Sequence, residues 1–289
     1  WTGPGGFTSA LTSISGLAPG DYNLKVTDNV GVDFFSVYTI KEPLELVLVT
    51  DLNKNVSCFG AANGEISVSV SGGTPPYKYF WTKNDVAFDT VKNITNLSPG
   101  VYKVLITDSH NCGPKTVSYT ITEPKAIVIS VTNQVNLKCF GDSIGSVSIQ
   151  VDGGVPFEKM PGIFDYNYSW TGPNGFTSDS KDLFSLLAGI YTLEVSDKTG
   201  CSKKFSVTIT QPEEIKINVT QTPVSCYGSN DATIKIEISG AAEPYKIEWS
   251  NLAKGIFLQN LGPGTYSVKV TDANACQMNR GIIITEAPF

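Results

Sequence analysis

The sequence predicts an all-β protein built as a tandem array of small antiparallel β-sandwiches, and three observations carry that expectation. One ordered string of motifs occurs three times. It begins with Cys-aromatic-Gly (Cys58-Phe59-Gly60, Cys139-Phe140-Gly141, Cys226-Tyr227-Gly228) and continues through a β-branched stretch and a Gly-rich turn to a Tyr-x-x-x-Trp run ending at Trp81, Trp170 or Trp249. A Leu-x-Pro-Gly-x-Tyr element follows, then a turn with a second Cys (Cys112, Cys201, Cys276) and a final strand ending in Pro. Units of one design in tandem make an array. The second observation is alternation with period two in Ile66/Val68/Val70, Val147/Ile149/Val151 and Ile234/Ile236/Ile238, and again in Tyr102/Val104/Ile106, Tyr191/Leu193/Val195 and Tyr266/Val268/Val270. Such alternation marks strands with one buried face. The third is Gly and Pro punctuation at intervals of about 8 to 12 residues, with no helical spacing of comparable length.

The closing prolines Pro43, Pro124, Pro212 and Pro288 set the unit boundaries, at steps of 81, 88 and 76 residues. Each step is long enough for an independent small core. The expected domains are therefore 44–124, 125–212 and 213–289, preceded by the C-terminal half of a repeat at 1–43. Trp1 matches the Trp that ends the Tyr-x-x-x-Trp run, so the chain reads as a piece of something longer.

The net charge is −6 with both signs interspersed, and no Lys/Arg cluster is suited to neutralising adjacent phosphates, so nucleic acid is not an expected partner. No apolar run approaches bilayer length, so no transmembrane segment is expected in this chain. The six cysteines fall two per full repeat at equivalent places, and CxxC is absent. That usage points to disulfides and an oxidising, extracellular setting.

Within each unit the Leu-x-Pro-Gly-x-Tyr element (Leu17 to Tyr22, Leu97 to Tyr102, Leu261 to Tyr266, and Leu186 to Tyr191 with Ala188 in place of Pro) resembles the tyrosine corner of immunoglobulin-like and fibronectin-type sandwiches. There the Tyr hydroxyl bonds back to the turn and fixes entry into the penultimate strand. Trp81, Trp170 and Trp249 then fall on the third strand, within its period, where core packing is the expected role. Between units stand only Glu42-Pro43-Leu44, Glu123-Pro124-Lys125 or Gln211-Pro212-Glu213. A lone Pro makes a short, stiff joint, so tandem immunoglobulin-like domains in an extended rod are expected.

Two cysteine pairings stay open. One bridge inside each repeat would join Cys58 to Cys112, Cys139 to Cys201 and Cys226 to Cys276. In a seven-strand sandwich, however, those partners lie at opposite ends. A strand of six to eight residues spans roughly 20–27 Å, against the ~7 Å limit on Cα separation. The other scheme joins Cys58 to Cys201 and Cys139 to Cys276 across the joints and leaves Cys112 and Cys226 to pair elsewhere. Loss of one strand would restore the first scheme, and only 11 residues separate Trp249 from Leu261. Either arrangement is worth about 4 kcal/mol per bridge in the chain-entropy model.

Catalytic chemistry is not expected. The single His, His110, lies in a polar turn, and no HExxH, P-loop, GxSxG or dinucleotide fingerprint occurs. No repeated carboxylate pair suits glycoside hydrolysis. Asp108, Asp197 and Asp272, with Asp28, recur before the last turn, where they would cap the turn backbone or join Glu42 or Glu123 in holding calcium at a joint. No other cofactor is expected. Repeat two carries eight extra residues before its Trp, among them Phe157, Met160, Pro161, Ile163 and Phe164. So apolar a loop packs against the preceding domain or forms a ligand patch.

The run Val56-Ser57-Cys58-Phe59-Gly60, with Asn63 to Val68 and Ser71-Gly72-Gly73-Thr74-Pro75-Pro76-Tyr77, is similar to the SprB-type repeat of Bacteroidota surface adhesins, and Tyr266 to Cys276 through Ile284-Thr285-Glu286 fits its second half. Val32 in place of the second Cys and Gly240-Ala241-Ala242 in place of Gly-Gly-Thr depart from the pattern. The resemblance implies repeats of a large, non-enzymatic cell-surface protein. Such a protein is exported by type IX secretion, moved along the outer membrane by the gliding machinery and attached to substrata or surface polysaccharide. Asp89-Thr90-Val91 and Asp142-Ser143-Ile144 also match that phylum's short O-glycosylation signal.

Overall fold

The computed structural model describes residues 1–286, so Pro288, the last of the closing prolines, lies outside them. The chain forms two compact units, Trp1–Pro124 and Lys125–Phe289. Every named sheet is antiparallel, and no helix of the described residues is long and apolar enough to cross a membrane.

In the first unit, β1 (Gly20–Thr27) pairs with β2 (Asp33–Ile40). Repeat one follows as β3 (Val47–Lys54), β4 (Gly64–Ser71), β5 (Lys78–Lys83), β6 (Val86–Asp89), β7 (Ile94–Leu97), β8 (Gly100–Thr107) and β9 (Lys115–Ile121). They form sheets of order β3-β4-β7 and β6-β5-β8-β9, a sandwich whose inner faces are the two alternating sets of the sequence. Ile66, Val68, Val104 and Ile106 are all fully buried in one core with Trp81 and Ile121. The two-stranded sheet before it copies only the second half of this design. Its Val26, Tyr38 and Ile40 are 49%, 51% and 39% exposed, against 0%, 5% and 1% for their counterparts Ile106, Tyr119 and Ile121. The turn Trp1-Thr-Gly-Pro-Gly-Gly-Phe7 has the same short 3-10 form as Trp170-Thr-Gly-Pro-Asn-Gly-Phe176.

In the second unit, repeat two comprises β10 (Val128–Val135), β11 (Gly145–Asp152), β12 (Phe157–Met160), β13 (Ile163–Asp165), β14 (Asn167–Thr171), β15 (Thr177–Ser178), β16 (Leu183–Leu186), β17 (Gly189–Ser196) and β18 (Ser202–Ile209). Its sheets are β10-β11-β16 and β15-β14-β17-β18, with β12-β13 as a separate hairpin. Repeat three comprises β19 (Lys216–Thr222), β20 (Ala232–Ser239), β21 (Lys246–Trp249), β22 (Phe257–Leu261), β23 (Gly264–Thr271) and β24 (Gln277–Ile284), in sheets β19-β20-β22 and β21-β23-β24. Each repeat has its own core.

Repeat three has lost the short edge strand that pairs with β5 and β14 in the other repeats, as its brief Trp249 to Leu261 segment suggested. The loss does not reverse the strands that follow. β22 still pairs antiparallel with β20, because the unpaired segment after β21 makes the same return to the opposite sheet.

Candidate functional site

The recurring motifs meet at the ends of the sandwiches and build two local devices. The first fixes the chain where the penultimate strand begins. Tyr22, Tyr102, Tyr191 and Tyr266 each donate a hydroxyl bond to the carbonyl four residues earlier, at 2.9, 2.9, 3.0 and 3.1 Å. These are tyrosine corners, and the Ala188 variant keeps the bond because the acceptor is backbone. The indole N–H of Trp81, Trp170 and Trp249 likewise donates to a backbone carbonyl, of Val91, Ser180 and Gly255, at 2.9–3.0 Å. With exposures of 0%, 1% and 4%, these rings belong to the cores and offer no face to a ligand.

The second device binds the Gly-rich turn to the turn before the last strand. Asp108 accepts from the amides of His110 and Cys112 through one oxygen and of Thr74 through the other, at 2.8–3.0 Å. Asp197 accepts from Thr199, Cys201 and Val155, and Asp272 from Asn274, Cys276 and Ala242. Asp28 makes the first half of the same clamp, to Val30 and Val32, with Val32 standing where the other repeats have Cys. Burial pushes the Asp197 carboxyl up, but the Val155 amide, the Thr199 hydroxyl and the Cys201 and Thr199 amides outweigh it and hold it below the usual carboxylate range. In Asp108 the same balance holds, with the Cys112, Thr74 and His110 amides outweighing burial. Of the two roles open to these residues in sequence, the observed contacts are those of turn caps. Both oxygens of Asp108, Asp197 and Asp272 face N–H donors, and among the described residues no group of three or more His, Cys, Asp or Glu side chains is placed to hold a metal ion. His110 contributes its amide to the Asp108 clamp.

The Gly-Gly turn itself is closed by the Tyr of the Tyr-x-x-x-Trp run. Tyr77 donates to Gly72 O at 2.6 Å and Tyr166 to Gly153 O at 2.7 Å, and Tyr245 does the same to Gly240. Gly72, Gly153 and Gly240 all have positive φ, and a Cβ there would stand 1.9–2.1 Å from the carbonyl oxygen of Glu45, Ala126 or Glu214. That explains why repeat three keeps Gly240 and replaces only the next glycine, with Ala241 at φ 54.

Sequence reasoning missed the residue that holds the Cys-aromatic-Gly turn. Glu123 accepts from the Gly60 amide at 2.6 Å, Gln211 from Gly141 at 2.9 Å and Glu286 from Gly228 at 2.9 Å. Only an acceptor oxygen is required, so Gln serves as well as Glu. The signal was the recurrence of Glu or Gln just after each last strand.

At the joint between repeats two and three, Cys139 is bonded to Cys276, with Cα atoms 5.5 Å apart. This excludes Cys139–Cys201 and Cys226–Cys276 within the repeats, because the first Cys of repeat two and the second of repeat three consume each other. Cys112 and Cys226 are exposed free thiols, which excludes Cys58–Cys112 as well. The physical reason is the one topology gives: the two cysteines of a repeat sit at opposite ends of its sandwich. Cys139 and Phe140 line a crevice of about 100 Å³ walled by Pro212, Glu214, Ile215, Ala241 and Cys276–Met278 of repeat three.

The eight extra residues of repeat two form the hairpin β12-β13, in which Phe157 pairs with Asp165 and Met160 with Ile163 around Pro161-Gly162. Phe157 is half-buried with the Lys159 ammonium 5.4 Å from its ring centre, while Met160, Ile163 and Phe164 are 59%, 52% and 61% exposed. These three form an exposed apolar group at the end of the hairpin.

The model of the SprB repeat matches residues 53–86 and 218–254. The decoration protein of Escherichia phage T5 is 32% identical over 84 residues, 27% of this chain and 51% of that protein, so the match spans about half its length. Among solved structures, the three N-terminal domains of the bacteriophage RB49 outer capsid protein Hoc align with 83% of this chain and 94% of theirs, at 11% identity and TM-score 0.34. Protocadherin gamma B7 cadherin domains 1–4 align with 91% of this chain and 83% of theirs, at 12% identity and the same TM-score of 0.34. At such low scores the sandwich assignment rests on strand order and the tyrosine corners. The chain is thus similar to the SprB repeat in parts of repeats one and three, on an all-β tandem fold.

Proposed function

We propose that the chain is a non-enzymatic stretch of stalk in a large secreted adhesin, held on the outer surface of the cell, exported by type IX secretion and moved by the gliding machinery. The observation that carries this reading is the covalent bond from the start of repeat two to the end of repeat three, 137 residues on. That bond gives the two repeats a covalent path beside their own packing, and the bulk of both sandwiches lies inside the loop it closes. A ligand-binding module has no need of such a path, whereas a spacer transmitting pulls from a moving cell does. The buried Trp rings and backbone-satisfied Asp clamps fit the same role, since they leave few groups facing outward. The SprB match supports the surface location.

A second reading has one specific observation behind it. The exposed Met160, Ile163 and Phe164 give repeat two a patch suited to contact with surface polysaccharide. Co-sedimentation of the chain with insoluble and gelled polysaccharides, beside the double variant Phe157→Ser and Phe164→Ser, separates the two. Absence of binding is the outcome expected of a stalk. Binding that the variant loses would make repeat two an adhesive module and overturn the spacer.

A further inference from the structure

Repeat one carries the same wall that receives Cys139 and Phe140 in repeat three, and here it lines an open groove. Pro43, Leu44, Glu45 and Leu46 stand where repeat three has Pro212, Glu213, Glu214 and Ile215, Gly73 stands for Ala241, and Cys112-Gly113-Pro114 stands for Cys276-Gln277-Met278. The groove measures about 410 Å³, against the roughly 100 Å³ left where Cys139 is bonded in and Phe140, 51% exposed, stands at the rim. Leu44 is 81% exposed and Cys112 is an exposed free thiol, whereas Cys276 in the seated joint is only 8% exposed.

The chain also holds the matching plug. Cys226-Tyr227-Gly228 has the shape of Cys139-Phe140-Gly141: both glycines have φ 76, and the amides of both donate to a side-chain oxygen at 2.9 Å. Cys226 is the second exposed free thiol. We propose that the groove formed by residues 43–46, Gly73 and 112–115 is a docking site for the Cys-aromatic-Gly turn of another repeat of this kind, sealed through Cys112, and that a second copy of this chain can supply that turn from Cys226. The observation that identifies the occupant is the seated Cys139–Cys276 joint, which is independent of the free thiols themselves.

Sealing is thiol–disulfide exchange. Oxidised glutathione takes the Cys112 thiolate as a mixed disulfide, releasing one glutathione thiol. The Cys226 thiolate then attacks the Cys112 sulfur; the new S–S bond forms as the S–glutathione bond breaks, and the second glutathione leaves as thiolate and is protonated by water. Two protein thiols are oxidised and one glutathione disulfide is reduced.

The test mixes ¹⁵N-labelled and unlabelled full chain in a glutathione redox buffer and maps disulfide-linked peptides without reduction. The expected product is a head-to-tail link between Cys226 of one copy and Cys112 of another, exceeding both like-with-like links by about tenfold, the preference one modest docking contact confers. Leu44→Trp, at an exposed position lining the groove, should lower that excess. Links in the proportions of random collision, a Cys112–Cys226 link confined to single copies, or an excess unaffected by Leu44→Trp would each overturn the proposal.

Discussion

Gly72 and Gly73 are neighbours in one turn, at φ 73 and 59, yet the same methyl group should affect them very differently. On Gly72 it would stand 1.9 Å from the Glu45 carbonyl oxygen, a backbone atom, whereas on Gly73 its nearest contacts are side chains, beginning with Leu46 at 3.0 Å. Left-handed backbone costs alanine about 1–2 kcal/mol at either position. At Gly72 the Glu45 carbonyl must also retreat by about 1 Å, and the adjacent Leu44 carbonyl, which accepts from Gly73 N at 2.7 Å, is drawn along. Loss of that bond adds about 0.5–1.5 kcal/mol. Gly73→Ala should therefore cost about 1–2 kcal/mol and Gly72→Ala about 1.5–3.5 kcal/mol, a gap of roughly two- to tenfold in the unfolding constant. Hydrogen exchange of peptides covering β4, followed through a urea series, reads repeat one alone. Equal losses, or a neutral Gly72→Ala, would refute the steric argument.

Three further outcomes follow from the clamps. Asp197 has a folded-state carboxyl below its ordinary range, so its contribution is complete above that range and is lost as pH falls through it toward the folded value. Acid titration of exchange in β11 should show this slope in the parent chain and lose it in Asp197→Asn. Glu123→Gln should be neutral because Gln211 already does the same work, while Glu123→Ala should lower the urea midpoint of repeat one by an amount equal to about 0.5–1.5 kcal/mol. Millimolar calcium should leave the melting temperature unchanged, since the Asp oxygens already face backbone N–H groups; a rise on adding calcium that chelator reverses would contradict the turn-cap role.

How much of this was legible in the sequence differs by level. Strand periodicity, the buried Trp rings and the tyrosine corners were readable because each depends on residues close in the chain, with the period of a strand or a four-residue backbond. The clamp from Asp108 to Thr74 was only half readable: the turn cap is local, but its second oxygen reaches across 34 residues. The pairing of Cys139 with Cys276 needed the direction of every intervening strand, so composition left two schemes open. The lost edge strand of repeat three pointed toward the wrong one, because strand number alone does not reveal that an unpaired segment makes the same return. The Glu123, Gln211 and Glu286 acceptors were hidden by chemistry: a functional requirement for one oxygen conserves neither charge nor residue type.

The load path through the joint is best tested by pulling the chain between its ends in single-molecule force spectroscopy, with and without reductant. The bridge locks 137 residues, which at about 3.3–3.6 Å each hold back roughly 450–490 Å of extension. The account predicts that at least this length is missing from the oxidised chain and appears on reduction. Full extension under oxidising conditions would show that no covalent bridge closes this loop and would contradict it.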